Sequence, residues 1–223
     1  TGVNANAVAL IYLSSALTST NGNINLTATS TNTTITNNPG VSSLSTGTIT
    51  ANAGTITINS NTYLSSAVVL AGAISAKQIL ITGTATTATT IVSLGAMTIV
   101  AGGSNLSVTA NNSAAGANTG ITQTGTITHN ANGGNISFTS NNIINQTGAI
   151  TLAANTSGTA RTITYDTSAG DKTSSITTGG LSVTAGSNIA TNYIAKASGA
   201  AITLDAISVP GYINIDNTYL SGT

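Results

Sequence analysis

A short phrase of alternating residues recurs along this chain and limits what the chain can fold into. The phrase is a Gly, a variable residue, an apolar residue, a polar residue and a second apolar residue, as at Gly148, Ile150 and Leu152. It occurs at residues 22–26, 54–58, 134–138, 148–152 and 211–215. Alternation with a period of two is the pattern of a β-strand that buries one face. The chain is therefore predicted to be a repeating array of short strands.

Charge is almost absent from the sequence. Charged residues are 4% of the 223 residues, whereas an ordinary soluble domain has about 25%. Four basic and four acidic residues cancel, and the chain contains no Glu, Trp or Cys. The many β-branched residues and the zero net charge argue against disorder. Without a basic patch the chain is not expected to bind nucleic acid, and without Cys it has neither disulfides nor thiolate metal sites.

The spacing of apolar positions favours a coil. Ile24, Ile49, Ile74 and Met97 follow one another at intervals of 25, 25 and 23 residues. Such a repeat is typical of one turn of a solenoid, in which each strand buries its apolar face by stacking on the next. At about 4.8 Å per turn, roughly ten coils would form a rod near 50 Å long. We therefore expect an all-β fold, a parallel β-helix that spans residues 1–223 as one domain. A β-sandwich fibre subunit joined to its neighbour by strand exchange is the alternative, because the strand intervals also suit a sandwich.

The alternation predicts one continuous core. The apolar residues expected to be buried in it are Ile24, Ile56, Ile79, Ile136, Phe138, Ile150, Leu152, Ile202 and Leu204. Six tyrosines occur singly and are expected to pack on strands or fill corners: Tyr12, Tyr63, Tyr165, Tyr193, Tyr212 and Tyr219.

Four of the phrases resemble a known family of repeats. Residues 22–28, 54–59, 134–139 and 148–153 are similar to the repeats of filamentous-haemagglutinin-type adhesins, the exoproteins of two-partner secretion, and more distantly to autotransporter passengers. The resemblance implies a right-handed β-helix, export across a bacterial outer membrane, and a non-enzymatic role as an adhesive shaft at the cell surface or in a secreted fibre. Host-cell or surface glycans and proteins would be its partners. The family's secretion domain is not recognisable, so the chain would be a segment of the shaft.

Few residues have the chemistry of a catalytic or metal site. His129 is the only histidine and is predicted to be an exposed polar residue on a coil face. The densest charge cluster, formed by Arg161, Asp166, Asp171 and Lys172, is predicted to be a solvated loop with local ion pairs. No catalytic, cofactor-binding or metal-binding residue is predicted. A polysaccharide-cleaving β-helix enzyme stays a minor alternative, because two carboxylates alone are a sparse site for such chemistry.

Pairs of Thr that flank an inward Ile leave a second binding function open. These pairs are Thr48 and Thr50, Thr55 and Thr57, Thr126 and Thr128, and Thr162 and Thr164. If they stacked on one flat, uncharged face, they would suit an ice surface, and an ice-binding β-solenoid is therefore the main alternative function. Thr is also the ordinary choice for an exposed strand position.

The two ends of the sequence lack a capping helix or a charged end coil. The apolar stretch at residues 7–17 is interrupted by polar residues and is too short to span a bilayer, so no transmembrane segment is predicted. An open solenoid end is an unpaired sheet edge. We therefore expect continuation at both ends by more of the chain or by identical copies, with the strand near Ile213 and Ile215 meeting residues 8–13 of the next segment.

Overall fold

The computed structural model of the protein shows strands joined by corners and, among the residues that it describes, no helix. Every strand pair in this part of the chain is parallel. The structure describes residues 10–31, 39–88, 90–112, 118–168, 174–183, 191–197 and 199–217.

The strands stack into three columns, which we name A, B and C in the order in which the chain visits them. Column A is an eight-stranded sheet: β1 (Ile11–Leu13), β4 (Val41–Ser43), β6 (Val68–Leu70), β8 (Thr90–Leu94), β11 (Thr119–Gln123), β14 (Ile143–Gln146), β17 (Ser174–Thr178) and β20 (Gly199–Leu204). Column B holds β2 (Leu17–Thr18), the first parts of β5 (Ile49–Thr62) and β7 (Ile74–Ala85), β9 (Met97–Ile99), β12 (Ile127–His129), β15 (Ile150–Leu152) and β18 (Leu181–Val183). Column C holds β3 (Ile24–Thr29), the second parts of β5 and β7, β10 (Leu106–Asn112), β13 (Ile136–Ser140), β16 (Arg161–Asp166), β19 (Thr191–Ala197) and β21 (Ile213–Asn217). Columns B and C form one thirteen-stranded sheet, because β5 and β7 run through both.

The architecture is a parallel β-solenoid of about six turns, with a further terminal coil at each end. The predicted all-β parallel β-helix is thus confirmed, and the sandwich alternative is wrong because its sheets would need antiparallel neighbours. The right-handed sense stays a prediction of the family resemblance. The coils are fewer and longer than expected. Ile56 stacks on Ile79, 23 residues later, whereas Ile24 stacks on Ile56, 32 residues later.

The regular spacing found in the sequence combines positions from different columns. Ile49, Ile74 and Met97 do stack on one another, in column B. Ile24, however, lies in column C, and Leu17 is the residue that stacks on Ile49. The phrases of columns B and C are alike because both place alternate apolar side chains in the same core, so the sequence does not separate them.

The predicted core is confirmed for seven of its nine residues. Ile24, Ile56, Ile79, Ile136, Phe138, Ile150 and Leu152 are buried in one cluster. Ile202 and Leu204 are only partly buried and pack against its edge. They lie on β20, the last strand of column A, which has a neighbouring strand, β17, on one side only.

A row of glycines forms the corner between columns A and B. At Gly148 an added Cβ would overlap the carbonyl oxygen of Gly125 on the preceding coil, and at Gly179 it would lie 2.5 Å from the carbonyl oxygen of Gly148. Close approach of stacked backbones therefore requires Gly here, where no left-handed conformation is involved. The row is Gly47, Gly72, Gly95, Gly125, Gly148 and Gly179.

The largest core side chains stack along column C. The rings of Phe138 and Tyr165 are stacked with centroids 5.3 Å apart, and those of Tyr165 and Tyr193 are 5.5 Å apart. Burial raises the pKa of Tyr193 to about 12, and its hydroxyl donates a hydrogen bond to Thr178 Oγ1 at 3.1 Å. Strand packing is thus confirmed for these two tyrosines. Tyr12, Tyr63 and Tyr212 are instead exposed, and Tyr219 lies outside the described residues.

The three corners differ in how much their length varies. Between columns A and B the chain needs only a few residues, as from Gln146 to Ile150 or from Thr178 to Leu181. Between columns B and C the connection ranges from no interruption in β7 to the whole segment 153–160. Between columns C and A it ranges from residue 198 alone to residues 30–40. The varying coil length therefore arises away from the glycine row.

Candidate functional site

His129 lies in the core and not on the surface, so its predicted exposure is wrong. It ends β12, where Ile127 points inward and Thr128 outward. The next alternate position must point inward, and His129 stacks between Ile99 and Leu152 of the neighbouring coils. The side chain is fully buried. The phase of the strand, set by Ile127, was the sequence signal that places it.

The His129 ring is neutral, and one of its nitrogens has no partner within the described ranges. Its Nε2 lies 2.9 Å from the carbonyl oxygen of Ser104. Because that oxygen can only accept, Nε2 carries the proton and donates, and Nδ1 is left as an acceptor. Burial, together with the positive charge of Arg161, lowers the pKa of His129 to about 4. Among the described residues, no group bonds Nδ1.

Arg161 is also enclosed in the core, which corrects its predicted place in a solvated loop. It starts β16 at the corner between columns B and C and is fully buried. Its Nη1 donates to the carbonyl oxygen of Ala153 at 3.1 Å, and its Nη2 donates to that of Ala131 at 2.7 Å. Burial lowers the pKa of Arg161, but a guanidinium stays protonated in proteins. Its Nε has no hydrogen-bond partner in the part of the chain that the structure describes.

The remaining charges of the predicted cluster lie on the outer side of column C or outside the described residues. Asp166 occupies a strand, with Lys196 beside it on the next coil and Asp216 beyond Lys196. This outward row alternates in sign, so it keeps like charges apart along the stack. Asp171 and Lys172 lie outside the described residues. Since Arg161 points into the core and Asp166 points out of it, the predicted cluster is not a single site.

The four Thr pairs do not stack into one ladder. Thr48 with Thr50 and Thr126 with Thr128 lie in column B, whereas the pairs at 55–57 and 162–164 lie in column C. In column B, Ser75 and Thr98 separate Thr50 from Thr128. The four Thr pairs therefore do not form the single flat face that was expected of them.

The outer side of column B carries a different and more regular array. One outward row has a hydroxyl at every level: Thr18, Thr50, Ser75, Thr98, Thr128, Thr151, Ser182 and Ser208. The other outward row has a small residue at every level: Ala16, Thr48, Ala73, Ala96, Thr126, Ala149, Gly180 and Ala206. We name these two rows the hydroxyl face. It spans eight levels, or about 34 Å, and has no charged residue.

The hydroxyl face has a sequence signal that the alternation alone did not reveal. Six successive coils carry a motif of Gly, then Ala, Thr or Gly, then Ile, Met or Leu, then Thr or Ser, as in Gly95, Ala96, Met97 and Thr98. Each motif supplies a corner glycine, a small outward residue, a core residue and an outward hydroxyl. The motif also occurs once in column C, as Gly54, Thr55, Ile56 and Thr57, so it distinguishes column B only by its recurrence on successive coils.

The last coil exposes residues of the inward row. Ile213 and Ile215 on β21 are 51% and 42% exposed, although they stack on Tyr193 and Ala195, which are buried. The apolar row of column C thus reaches the C-terminal edge of the described structure without a coil over it. A sheet edge of this kind presents both unpaired backbone groups and apolar side chains.

The described residues contain no group of three or more His, Asp or Glu side chains placed to hold a metal ion. They also contain no helix that is long and apolar enough to cross a membrane.

Comparison with known proteins finds no match. No protein-family model matches the chain, and no curated protein or solved structure is significantly similar to it. The β-solenoid therefore rests on the structure itself.

Proposed function

We propose that this protein is a non-enzymatic structural segment, a solenoid shaft that extends an adhesive fibre at a bacterial cell surface or in a secreted filament. The observation that supports it best is the exposed pair Ile213 and Ile215 at the end of an otherwise buried apolar row. A further coil stacked on β21 would bury both side chains. The extracellular location and the glycan or protein partners rest on the resemblance to haemagglutinin-type repeats.

At a joint between two segments, each strand would pair with a strand of the same column. Ile213 and Ile215 belong to column C, whereas residues 11–13 form β1 of column A. The expected pairing of the two is therefore replaced by a pairing within columns. If the next segment is a copy, β21 meets β3, with Ile213 against Ile24 and Ile215 against Leu26, while β20 meets β1. More of the same chain would supply the equivalent strands.

The first test of this function is a charge placed on the joint. The isolated 223-residue protein is expected to form fibres, and Ile213→Lys is expected to suppress them, because the ammonium would have to be buried between coils. Asn214→Lys is the matched control, since residue 214 points outward on the same strand and should leave assembly intact. Light scattering and electron microscopy measure the outcome.

Two results would refute assembly through this edge. One is wild-type protein that stays monomeric at high concentration, and the other is equal fibre formation by both lysine variants.

Ice binding is a second candidate, and the hydroxyl face favours it. The face repeats at every coil, at a spacing of about 4.8 Å, and pairs each hydroxyl with a small side chain. A neutral, regular face of this kind suits a neutral, periodic solid, whereas the other columns carry large or charged outward residues such as Tyr12 and Lys196.

The second candidate is tested by interrupting the face at two adjacent levels. Thr98→Lys with Thr128→Lys is expected to abolish inhibition of ice recrystallisation, because two long charged side chains would hold the lattice away. Ser107→Lys with Ser137→Lys places the same charges on the same two coils in column C and should retain the inhibition. Wild-type protein with no effect on ice growth would exclude this function and leave the shaft proposal intact.

A further inference from the structure

The dipeptide Asn-Gly occurs twice in the chain, as Asn21 with Gly22 and as Asn132 with Gly133. Both pairs lie at the corner between columns B and C, the first between β2 and β3 and the second between β12 and β13. The backbone nitrogen of Gly can attack the side-chain carbonyl carbon of the preceding Asn, because Gly has no Cβ to hinder the approach. The two sites share this local chemistry, so their surroundings decide which of them reacts.

The fold protects Asn132. Its Nδ2 donates to Thr156 Oγ1 at 2.8 Å, and its Oδ1 accepts from the backbone N–H of Thr156 at 2.6 Å, so both ends of the carboxamide are held by the next coil. Gly133 is buried, and an added Cβ on Gly134 would overlap the carbonyl oxygen of Ser104 on the preceding coil. Attack on Asn132 would expel Nδ2 and make Cγ tetrahedral, and the two hydrogen bonds and the close packing oppose that change of geometry.

Asn21 is held far less tightly. It is exposed in a bend, and within the described ranges no hydrogen bond holds its carboxamide. The N–H of Gly22 donates to Ser19 Oγ at 3.2 Å, inside the same bend. The bend belongs to the first described coil, whose strands β2 and β3 pair with β5 alone among the described strands. Because an edge segment with few packed neighbours opens at a low cost in free energy, the backbone here can reach the geometry of attack.

We propose that Asn21 deamidates spontaneously to isoaspartate and aspartate, whereas Asn132 in the folded protein does not. The Gly22 nitrogen forms a bond to Asn21 Cγ as its proton leaves to solvent, the Cγ–Nδ2 bond breaks, and Nδ2 takes up a proton and leaves as ammonia. Water then opens the resulting succinimide ring. Addition at Cγ gives aspartate, and addition at the main-chain carbonyl carbon of residue 21 gives isoaspartate. The net change is the uptake of water and the loss of ammonia, so no other reactant is required.

Both products alter the N-terminal edge of the described structure. Each adds a carboxylate to a coil, residues 10–31, that has no charged residue. Isoaspartate also routes the main chain through the side-chain carbons, which adds a methylene group to the backbone just before β3. The reaction would therefore change the charge and the length of this corner as the protein ages, independently of the proposed function.

The test is peptide mapping by mass spectrometry of the folded wild-type protein after incubation in mildly alkaline water labelled with oxygen-18. The expected result is labelled aspartate and isoaspartate at residue 21, with Asn132 unmodified in the same sample. In protein unfolded by urea, both asparagines are expected to react at comparable rates, because the surroundings that distinguish them are lost.

Gly22→Ala provides the matched control. The nearest atom to an added Cβ is Ser19 Oγ at 3.5 Å, so the fold is expected to be unchanged. The methyl group hinders attack by the residue 22 nitrogen, so the products at Asn21 should be lost over the same incubation. Modification of Asn132 at the rate of Asn21 in the folded protein, an Asn21 that stays intact in the folded protein, or undiminished products in Gly22→Ala would each overturn the proposal.

Discussion

Gly148→Val is expected to destabilise the solenoid severely, by about 3 kcal/mol or more. The added Cβ would overlap the carbonyl oxygen of Gly125, and it would lie 2.7 Å from the carbonyl carbon and 2.9 Å from Gln123 Oε1. Most of these atoms are backbone, and Gly125 is itself packed against Gly95 and Ala96 below it. The corner cannot yield without separating the coils, so the loss should extend beyond the mutated corner.

Chemical denaturation measures the free energy of unfolding of Gly148→Val and of a control variant, Gly22→Ala. At Gly22 the nearest atom to an added Cβ is Ser19 Oγ at 3.5 Å, which is ordinary contact, and Gly→Ala at an unstrained position is neutral or slightly stabilising. If Gly148→Val unfolded at the same denaturant concentration as wild type, the close stacking of the glycine row would be wrong.

Acidification is expected to remove about 3 kcal/mol from the free energy of unfolding between pH 6.5 and pH 4 through His129 alone. The pKa of this side chain is about 4 when folded and about 6.5 when unfolded. Between these values the unfolded chain binds the proton and the folded chain does not, so stability falls as the pH falls. The contribution is fully present above pH 6.5 and does not decrease further below pH 4.

His129→Leu isolates this contribution from that of the carboxylates. The variant should have a nearly flat unfolding free energy across the same range. Leu continues the row of Ile99 and Leu152, but the Ser104 carbonyl loses its donor, so we expect a loss of stability of about 1–3 kcal/mol that does not depend on pH. Urea denaturation at several pH values measures both proteins. Parallel pH profiles for wild type and variant would show that His129 is accessible to protons in the folded state.

Sequence alternation predicts the strands and most of the core, because it follows directly from the two faces of a strand. It does not predict how the strands are stacked. The interval from Ile24 to Ile49 equals that from Ile49 to Ile74, yet only the second joins register partners, because connections of different length let columns B and C fall at similar spacings. Stacking is a long-range property that no local pattern contains.

The polar residues show the same division. The burial of His129 was predictable from the alternation of the strand, because Ile127 points inward and residue 129 must point the same way. The polar Thr and Asn residues around His129 instead suggested a surface position. Arg161 precedes a regular strand pattern, and only its placement beside the corner carbonyls of Ala131 and Ala153 makes burial possible. Such carbonyls come from two different coils, so their convergence depends on the fold and not on local sequence.

The unequal corners divide the coil into a part that resists change in length and a part that admits it. An extra residue beside Gly125 or Gly148 would disturb the stacking above and below it, whereas segment 153–160 already adds residues where β7 has none. Loop length itself adds little to the free energy of closure. The connection between columns C and A also varies, from residue 198 alone to residues 30–40. Insertions and deletions should therefore accumulate at these two corners, and a foreign peptide grafted at either would be displayed along one edge of the rod at intervals set by the coils.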